Sequence, residues 1–123
     1  MATKTWRVGQ GTMTRTVLVV DDERFIVDLL AEVLAEEGYA VRRAYDGEAA
    51  LRDIDHNPPD LILSDVAMPR VNGLELARRV QDRGIPVILM SAAVSDPRTP
   101  GVGFITKPFD LDHILEMVAE HIE

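Results

Sequence analysis

Three apolar runs that each end in a charged residue constrain the fold of this chain more than any other feature. They are VLVV at 17–20, followed by Asp21 and Asp22; LILS at 61–64, followed by Asp65; and FIT at 104–106, followed by Lys107. Short apolar runs that alternate with helix-period segments predict buried strands of a parallel sheet built from βαβ units. Because the carboxyl ends of parallel strands meet at one edge of a sheet, we expect three carboxylates and one ammonium to lie close together there.

The composition excludes several classes of protein. A chain of 123 residues with 46% hydrophobic residues is long enough for one domain with a single core. It contains no cysteine, which excludes disulfide frameworks and thiolate-bound zinc or iron-sulfur sites. The chain has neither an apolar stretch long enough to span a bilayer nor a secretory signal, so we expect a cytoplasmic protein that does not contact membranes. A net charge of -8 repels nucleic acid phosphates, so direct nucleic acid binding by this domain is not expected.

The apolar periodicity predicts five strands and four helices. The strands are expected at 17–20, 39–45, 61–64, 87–90 and 104–106. The helices are expected from Phe25 to before Gly38, over 48–54, from the N-cap Asn72 to before Gly84, and after the N-cap Asp110. Phe25 begins the inward stripe of the first helix, and Leu74, Ala77 and Val80 form that of the third.

Residues 1–15 differ from the rest of the chain. They are polar, contain two glycines and show no apolar period. We expect a flexible N-terminal extension, native or appended, so that the domain covers residues 16–123.

The charged strand ends predict a site for a divalent cation and a phosphoryl group. Magnesium prefers oxygen ligands, which makes Asp22 and Asp65 its expected carboxylate ligands, with Asp21 in support. A carboxylate can also attack phosphorus, and Asp65, alone at the end of the central strand, is the expected nucleophile. Lys107 would pair with the phosphoryl oxygens, and the Ser91 hydroxyl would donate a hydrogen bond to one of them.

The same residues carry a resemblance to a known family. The acidic pair of VLVVDDE, Asp65 followed by Met-Pro and Asn-Gly, the pair Ser91-Ala92 and the tripeptide Lys-Pro-Phe at 107–109 occur in the order of their counterparts in that family. From about residue 16 to residue 123, the chain resembles the receiver domain of two-component response regulators. The resemblance implies a flavodoxin-like, doubly wound, five-stranded parallel α/β sheet in the order 2-1-3-4-5.

The resemblance also implies the reaction. Asp65 would accept a phosphoryl group from a sensor histidine kinase or a histidine phosphotransfer protein. The cofactor Mg2+ (or Mn2+) would be bound by Asp22, Asp65 and the backbone carbonyl of Ala67, with Asp21 in support. Such a receiver is not a turnover enzyme, because it only assists its own phosphorylation and dephosphorylation.

The remaining roles implied by the resemblance concern the readout of the phosphorylated state. Ser91 and Lys107 would sense the phosphoryl group, and Phe104 lies at the position of a switch aromatic residue. The peptide bond between Lys107 and Pro108 would be cis, which only a residue followed by proline adopts at low cost. The altered conformation would then be recognised by a downstream effector protein or domain.

One departure from the family pattern lies between strands four and five. Fifteen residues separate Ser91 from Lys107, whereas a strand, two loops and a full helix need roughly twenty. Pro97 and Pro100 further disfavour a continuous helix. The fourth helix of the fold is therefore expected to be shortened or missing. Either the output uses another surface, or residues 93–103 order when Asp65 becomes charged.

Three other functions compete with this interpretation. A phosphatase with an aspartyl nucleophile needs a second acid two positions after the first, but Arg24 stands there after Asp22. A flavodoxin-like cofactor carrier needs a first loop that cradles phosphate, and the acidic sequence DDE would repel one. A degenerate receiver that binds partners without phosphorylation is the main alternative, because the short segment before Lys107 is compatible with lost switching.

Overall fold

The computed structural model of the chain describes residues 14–92 and 101–122, which contain one parallel sheet. Its strands are β1 (Thr16–Val20), β2 (Ala40–Ala44), β3 (Leu61–Asp65), β4 (Val87–Ser91) and β5 (Val102–Thr106). All neighbouring strands are parallel, in the order β2-β1-β3-β4-β5. This order confirms the flavodoxin-like doubly wound sheet, and it places the strand that ends in Asp65 at the centre.

Helices cover both faces of this sheet. In the described part of the chain they are α1 (Arg24–Glu36), α2 (Gly47–His56), α3 (Gly73–Val80) and α4 (Leu111–His121), with a 3-10 turn at Gln81–Arg83 after α3. The side chains of Asp46, Asn72 and Asp110 each accept a hydrogen bond from a backbone N–H in the first turn of the following helix. The predicted N-caps Asn72 and Asp110 are thus confirmed.

The strands alternate their side chains between two apolar layers. Val17 and Val19 of β1 face the layer formed with α1 and α4. Leu18 and Val20 face the layer formed with α2 and α3. A strand buried on both faces needs a largely apolar run, and a charged residue is expected only where the strand reaches the edge of the sheet. The runs in β1 and β3 were therefore informative about both the fold and the position of the site.

Two predicted inward residues are instead exposed. Phe25 is 75% exposed and Leu74 is 48% exposed, so the predicted stripes of α1 and α3 were wrong at these positions. Each lies two positions before a buried residue, Val27 and Leu76 respectively. Two positions correspond to a rotation of about 200° around a helix, so a residue there faces away from its buried neighbour.

Strand β5 begins two residues earlier than predicted. Val102 and Gly103 pair with Val87 and Ile88 of β4, although two glycines flank Val102. The buried Gly103 has a physical reason, because a Cβ atom there would lie 3.0 Å from Met117 Cε and 3.0 Å from His121 Nε2 in α4. The glycine thus lets β5 pack closely against the last helix, which the sequence pattern did not indicate.

Two predictions fall largely on parts of the chain that are not described. Residues 92–101 connect β4 to β5, and the expected loss of a helix there concerns mainly residues 93–100, outside the described ranges. The expected N-terminal extension covers residues 1–15, of which 1–13 are also outside the described ranges. The backbone carbonyl of Arg15, its last residue, accepts a hydrogen bond from the backbone N–H of Ala40. Among the helices that are described, none combines the length and apolar character needed to cross a membrane.

Candidate functional site

The charged strand ends meet at the carboxyl edge of the sheet, as predicted. Asp21 directly follows β1, Asp65 is the last residue of β3, and Lys107 directly follows β5. One carboxylate oxygen from each of Asp21, Asp22 and Asp65 lies within 4.8 Å of the others. The Lys107 Nζ lies 2.7 Å from Asp65 Oδ1 and 3.9 Å from Asp21 Oδ2. Residues that are 86 positions apart in the chain thus form one cluster of opposite charges.

Asp21 is the most deeply buried member of the cluster. Its residue exposure is 0%, its Oδ1 accepts a hydrogen bond from the Glu23 backbone N–H at 3.0 Å, and its Oδ2 is buried without a hydrogen bond. Burial raises the pKa of Asp21 from 3.8 to about 6; the Glu23 bond opposes this rise and the nearby Asp65 adds to it. A buried anionic oxygen without a hydrogen-bond donor is the kind of group that a bound cation stabilises.

Lys107 is held in its charged form by the cluster. Partial burial acts to lower the pKa of Lys107, but the hydrogen bond to Asp65 and the charges of Asp65 and Asp21 outweigh it and raise the pKa. Its ammonium therefore neutralises the charge of the Asp65 carboxylate. The same ammonium could also pair with an anionic group attached to Asp65.

The metal-free protein is expected to become more stable when Asp21 is replaced by asparagine. Because the folded-state pKa of Asp21, about 6, exceeds its ordinary value of 3.8, ionisation of this group lowers stability as pH rises through that interval. In chelator at pH 8, we expect Asp21→Asn to increase the free energy of unfolding by about 1–3 kcal/mol. The gain in unfolding free energy should disappear below about pH 4, where the Asp21 carboxyl of wild type is protonated in both the folded and the unfolded state.

Urea unfolding of both proteins across this pH range measures the difference. Asp28→Asn is a matched control, because Asp28 is an exposed aspartate of α1 that pairs with Arg43 away from the cluster. A gain from Asp21→Asn that does not depend on pH would show that burial of the charge is not its cause.

The other predicted site residues lie around this cluster. Ser91 ends β4, and its carbonyl accepts a hydrogen bond from the Lys107 backbone N–H at 2.8 Å. Phe104 is half-buried in β5 and packs against the apolar layer of α2 and α3. Ala67 is exposed in the loop after β3, two positions past Asp65. The peptide bond between Lys107 and Pro108 is cis, the isomer that the resemblance implies.

The steric role of two glycines that shape the site was not predicted from the sequence. A Cβ atom at Gly73 would lie 2.3 Å from the Asp65 carbonyl oxygen, and one at Gly47 would lie 2.3 Å from the Val71 carbonyl oxygen. The Gly73 backbone N–H also donates a hydrogen bond to the Val66 carbonyl at 2.9 Å. The helices α2 and α3 therefore begin in direct contact with the loop 66–72 that follows Asp65. The only sequence signal was a glycine directly after each N-cap, where a helix former would be expected.

Replacing Gly73 with alanine should destabilise the fold by about 3 kcal/mol. The new methyl group would overlap the backbone of Asp65, which cannot move without disturbing the central strand. Gly84→Ala is a suitable control, because Gly84 has a φ of 73° but open space around it, so only its backbone conformation should cost stability, about 1 kcal/mol. Urea unfolding compares the two variants, and equal losses would refute the steric argument.

Comparison with known proteins identifies the family. The model of the response regulator receiver domain family matches residues 17–119. The chain belongs to this family. The receiver domain is 39% identical over 105 residues to response regulator GtcR of Aneurinibacillus migulanus, a match that covers 80% of this chain and 43% of GtcR. It is 37% identical over 107 residues to response regulator MprA of Mycobacterium sp. (strain KMS), covering 80% of this chain and 46% of MprA. The receiver domain thus spans less than half the length of these curated relatives.

Solved structures agree with this assignment. The receiver domain of the hybrid histidine kinase CckA is 31% identical, with a TM-score of 0.77, and the match covers 88% of this chain and 99% of that one. The chemotaxis response regulator CheY4 of Vibrio cholerae is 28% identical, with a TM-score of 0.79 and coverage of 89% and 100%. The fold and the family of the receiver domain are therefore established.

Proposed function

We propose that this receiver domain accepts a phosphoryl group on Asp65 in a reaction that depends on a divalent cation. The observation that carries the proposal is the environment of the Asp65 carboxylate. The residue is 5% exposed, its Oδ1 contacts the Lys107 ammonium at 2.7 Å, and the carboxylates of Asp21 and Asp22 lie beside it. A buried carboxylate next to a cation-binding cluster and a lysine has the groups that phosphoryl transfer needs for charge compensation.

The acidic cluster fits a hard cation such as Mg2+ or Mn2+. Asp22 and Asp65 would supply carboxylate ligands, Ala67 its backbone carbonyl, and Asp21 support. Oxygen donors of this kind suit both ions, and the buried Oδ2 of Asp21 without a hydrogen bond supports a cation nearby. When bound, the ion supplies positive charge that offsets the repulsion between a carboxylate and a phosphoryl group.

The transfer itself would use the side chains of the chain. A carboxylate oxygen of Asp65 forms a bond to phosphorus, while the bond between phosphorus and the imidazole nitrogen of the donor histidine breaks. Lys107, which pairs with the Asp65 carboxylate before transfer, would then pair with a phosphoryl oxygen, and the Ser91 hydroxyl would donate a hydrogen bond to another. The donor is a sensor histidine kinase or a histidine phosphotransfer protein. The domain does not turn over a substrate, because the phosphoryl group stays attached until it is hydrolysed.

The signal would leave the site through strands β4 and β5. Ser91 and Lys107 are joined by a backbone hydrogen bond, and Phe104 lies on β5, three residues before Lys107. A shift of either sensing residue would therefore be transmitted to Phe104, which is only half-buried. The altered surface would be recognised by an effector protein or domain, and nucleic acid contact, where the pathway requires it, would be made by that effector.

Incubation with acetyl phosphate tests the proposal. Intact mass should increase by one phosphoryl group in Mg2+ and should stay unchanged in excess chelator. No increase in either condition would contradict the proposal and would favour the degenerate receiver. No contact in the described site favours that alternative, since Asp65, Asp21, Asp22 and Lys107 are all present and adjacent.

A further inference from the structure

Arg70 occupies an unfavourable backbone conformation close to the proposed phosphoacceptor. It lies in the loop 66–72 between β3 and α3, and its φ of 66° is the only positive value at a residue other than glycine in the described part of the chain. A Cβ atom makes this left-handed conformation costly. Such conformations persist where surrounding contacts hold them, often next to functional groups.

The Arg70 side chain makes contacts that hold it there. Its Nε lies 3.3 Å from Glu48 Oε1, and one terminal nitrogen lies 3.8 Å from Asp46 Oδ2. The other oxygen of Asp46 accepts a hydrogen bond from the Ala49 backbone N–H and caps α2. The guanidinium therefore joins the loop after Asp65 to the first turn of α2, where two carboxylates face it.

The remaining contacts of the loop are made by backbone and apolar groups. The Gly73 N–H bonds to the Val66 carbonyl, Met68 is buried in the apolar layer, and Gly47 contacts the Val71 carbonyl. These contacts hold the two ends of the loop and Met68. Arg70 adds a charged contact in the exposed part of the loop, three positions after Ala67.

We infer that Arg70 is a positioning residue that orients the loop 66–72, and with it the Ala67 carbonyl, for cation binding. The inference rests on the proposed function, because it assumes that the cation supports phosphorylation of Asp65. The Arg70 guanidinium pairs with Glu48 and Asp46 and not with the acidic cluster, so it would act through the backbone of the loop. Its contribution should therefore appear in the concentration of Mg2+ that the reaction needs, and hardly in the rate at saturating Mg2+.

Arg70→Ala separates the ion pairs from the backbone strain, because alanine has the same disfavoured positive φ but no guanidinium. Mg2+ binding to the unphosphorylated protein would be measured by isothermal titration calorimetry, and the phosphorylation rate with acetyl phosphate would be measured against Mg2+ concentration. We expect the half-saturating concentration to rise about threefold, the scale of one or two exposed ion pairs. The saturating rate should stay within about twofold of the wild-type rate. Arg70→Lys retains the charge and should recover most of the loss.

Arg83→Ala is a matched control. Arg83 also joins α2 to the region of α3, through an exposed ion pair with Asp55, but it lies after α3 and not in the loop that follows Asp65. The Arg83→Ala variant should leave the Mg2+ dependence unchanged.

Glu48→Gln removes one partner of Arg70 and should raise the half-saturating Mg2+ concentration, as Arg70→Ala does. The double variant Arg70→Ala with Glu48→Gln should show no further shift, because both changes remove the same contact.

Each result supports or overturns the inference. A half-saturating Mg2+ concentration in Arg70→Ala equal to that of wild type and Arg83→Ala would overturn it, and so would a shift that Arg70→Lys does not recover. A wild-type protein that is not phosphorylated in Mg2+ would overturn the proposed function together with this inference. A phosphorylated wild type with an unaffected Arg70→Ala would overturn the inference alone.

Discussion

Replacement of Asp65 by asparagine is expected to abolish the gain of a phosphoryl group completely while the domain stays folded. An amide oxygen is too weak a nucleophile to attack phosphorus, but it can still accept the hydrogen bond that the Lys107 ammonium donates to Asp65 Oδ1. Loss of the negative charge also removes a repulsion that raises the pKa of the buried Asp21. The variant should therefore unfold in urea at a concentration at least as high as wild type in metal-free buffer.

Asp60→Asn provides the control for this change. Asp60 directly precedes β3, at the end opposite to Asp65, and its Oδ2 accepts a hydrogen bond from the Thr16 backbone N–H at 2.7 Å. An asparagine there keeps an acceptor oxygen and should leave phosphorylation by acetyl phosphate unchanged. If intact mass still shows one phosphoryl group on Asp65→Asn, another side chain accepts it and the assignment of Asp65 is wrong.

Lys107→Met is expected to have the second-largest effect, and the size of the effect depends on pH. The substitution leaves the buried carboxylates of Asp65 and Asp21 without their ammonium partner, and we expect a loss of about 2 kcal/mol of unfolding free energy at pH 8 without metal. The charge of Lys107 acts to lower the pKa of Asp21. Without the lysine, the folded-state pKa of Asp21 therefore rises further, and the folded protein binds a proton there more tightly than the unfolded chain. The loss should therefore shrink as pH falls towards 5.

Urea unfolding at several pH values measures this effect, and two further variants define its cause. Lys107→Arg keeps the positive charge and should lose less stability than Lys107→Met. Combining Lys107→Met with Asp21→Asn should recover part of the loss, because the neutral amide no longer needs the ammonium. A loss that is equal at pH 5 and pH 8 would indicate that packing of the lysine stem, and not its charge, is responsible.

The sequence was most informative where one strand is buried on both faces. The continuous apolar run of β3 could only be a central strand, and the polar Asp65 at its end could only lie at the edge of the sheet. The same argument applied to Asp21 after β1. Lys107 follows β5, an edge strand that is only partly buried, and its position was indicated by the shorter apolar run alone. The meeting of these residues at one edge followed from the parallel arrangement alone, without any knowledge of side-chain contacts.

Features that depend on contacts between distant segments could not be predicted in this way. The need for glycine at position 73 arises from the approach of α3 to the carbonyl of Asp65, and that at position 47 from the approach of α2 to Val71. The outward direction of Phe25 was missed because helical periodicity in the first turn allows more than one inward stripe. The partners of Arg70 lie 22 and 24 positions away, and local sequence gives no sign of such pairs.

Mapping the phosphorylated residue tests the central claim most directly. Borohydride reduces an aspartyl phosphate to homoserine, so treatment of the protein after incubation with acetyl phosphate marks the acceptor permanently. Peptide mass spectrometry should find homoserine at position 65 when Mg2+ is present, and unmodified aspartate there when Mg2+ is removed by chelator. A phosphorylated protein that carries the homoserine at another position, or that acquires it at position 65 equally well in chelator, would contradict a cation-dependent phosphoacceptor at Asp65.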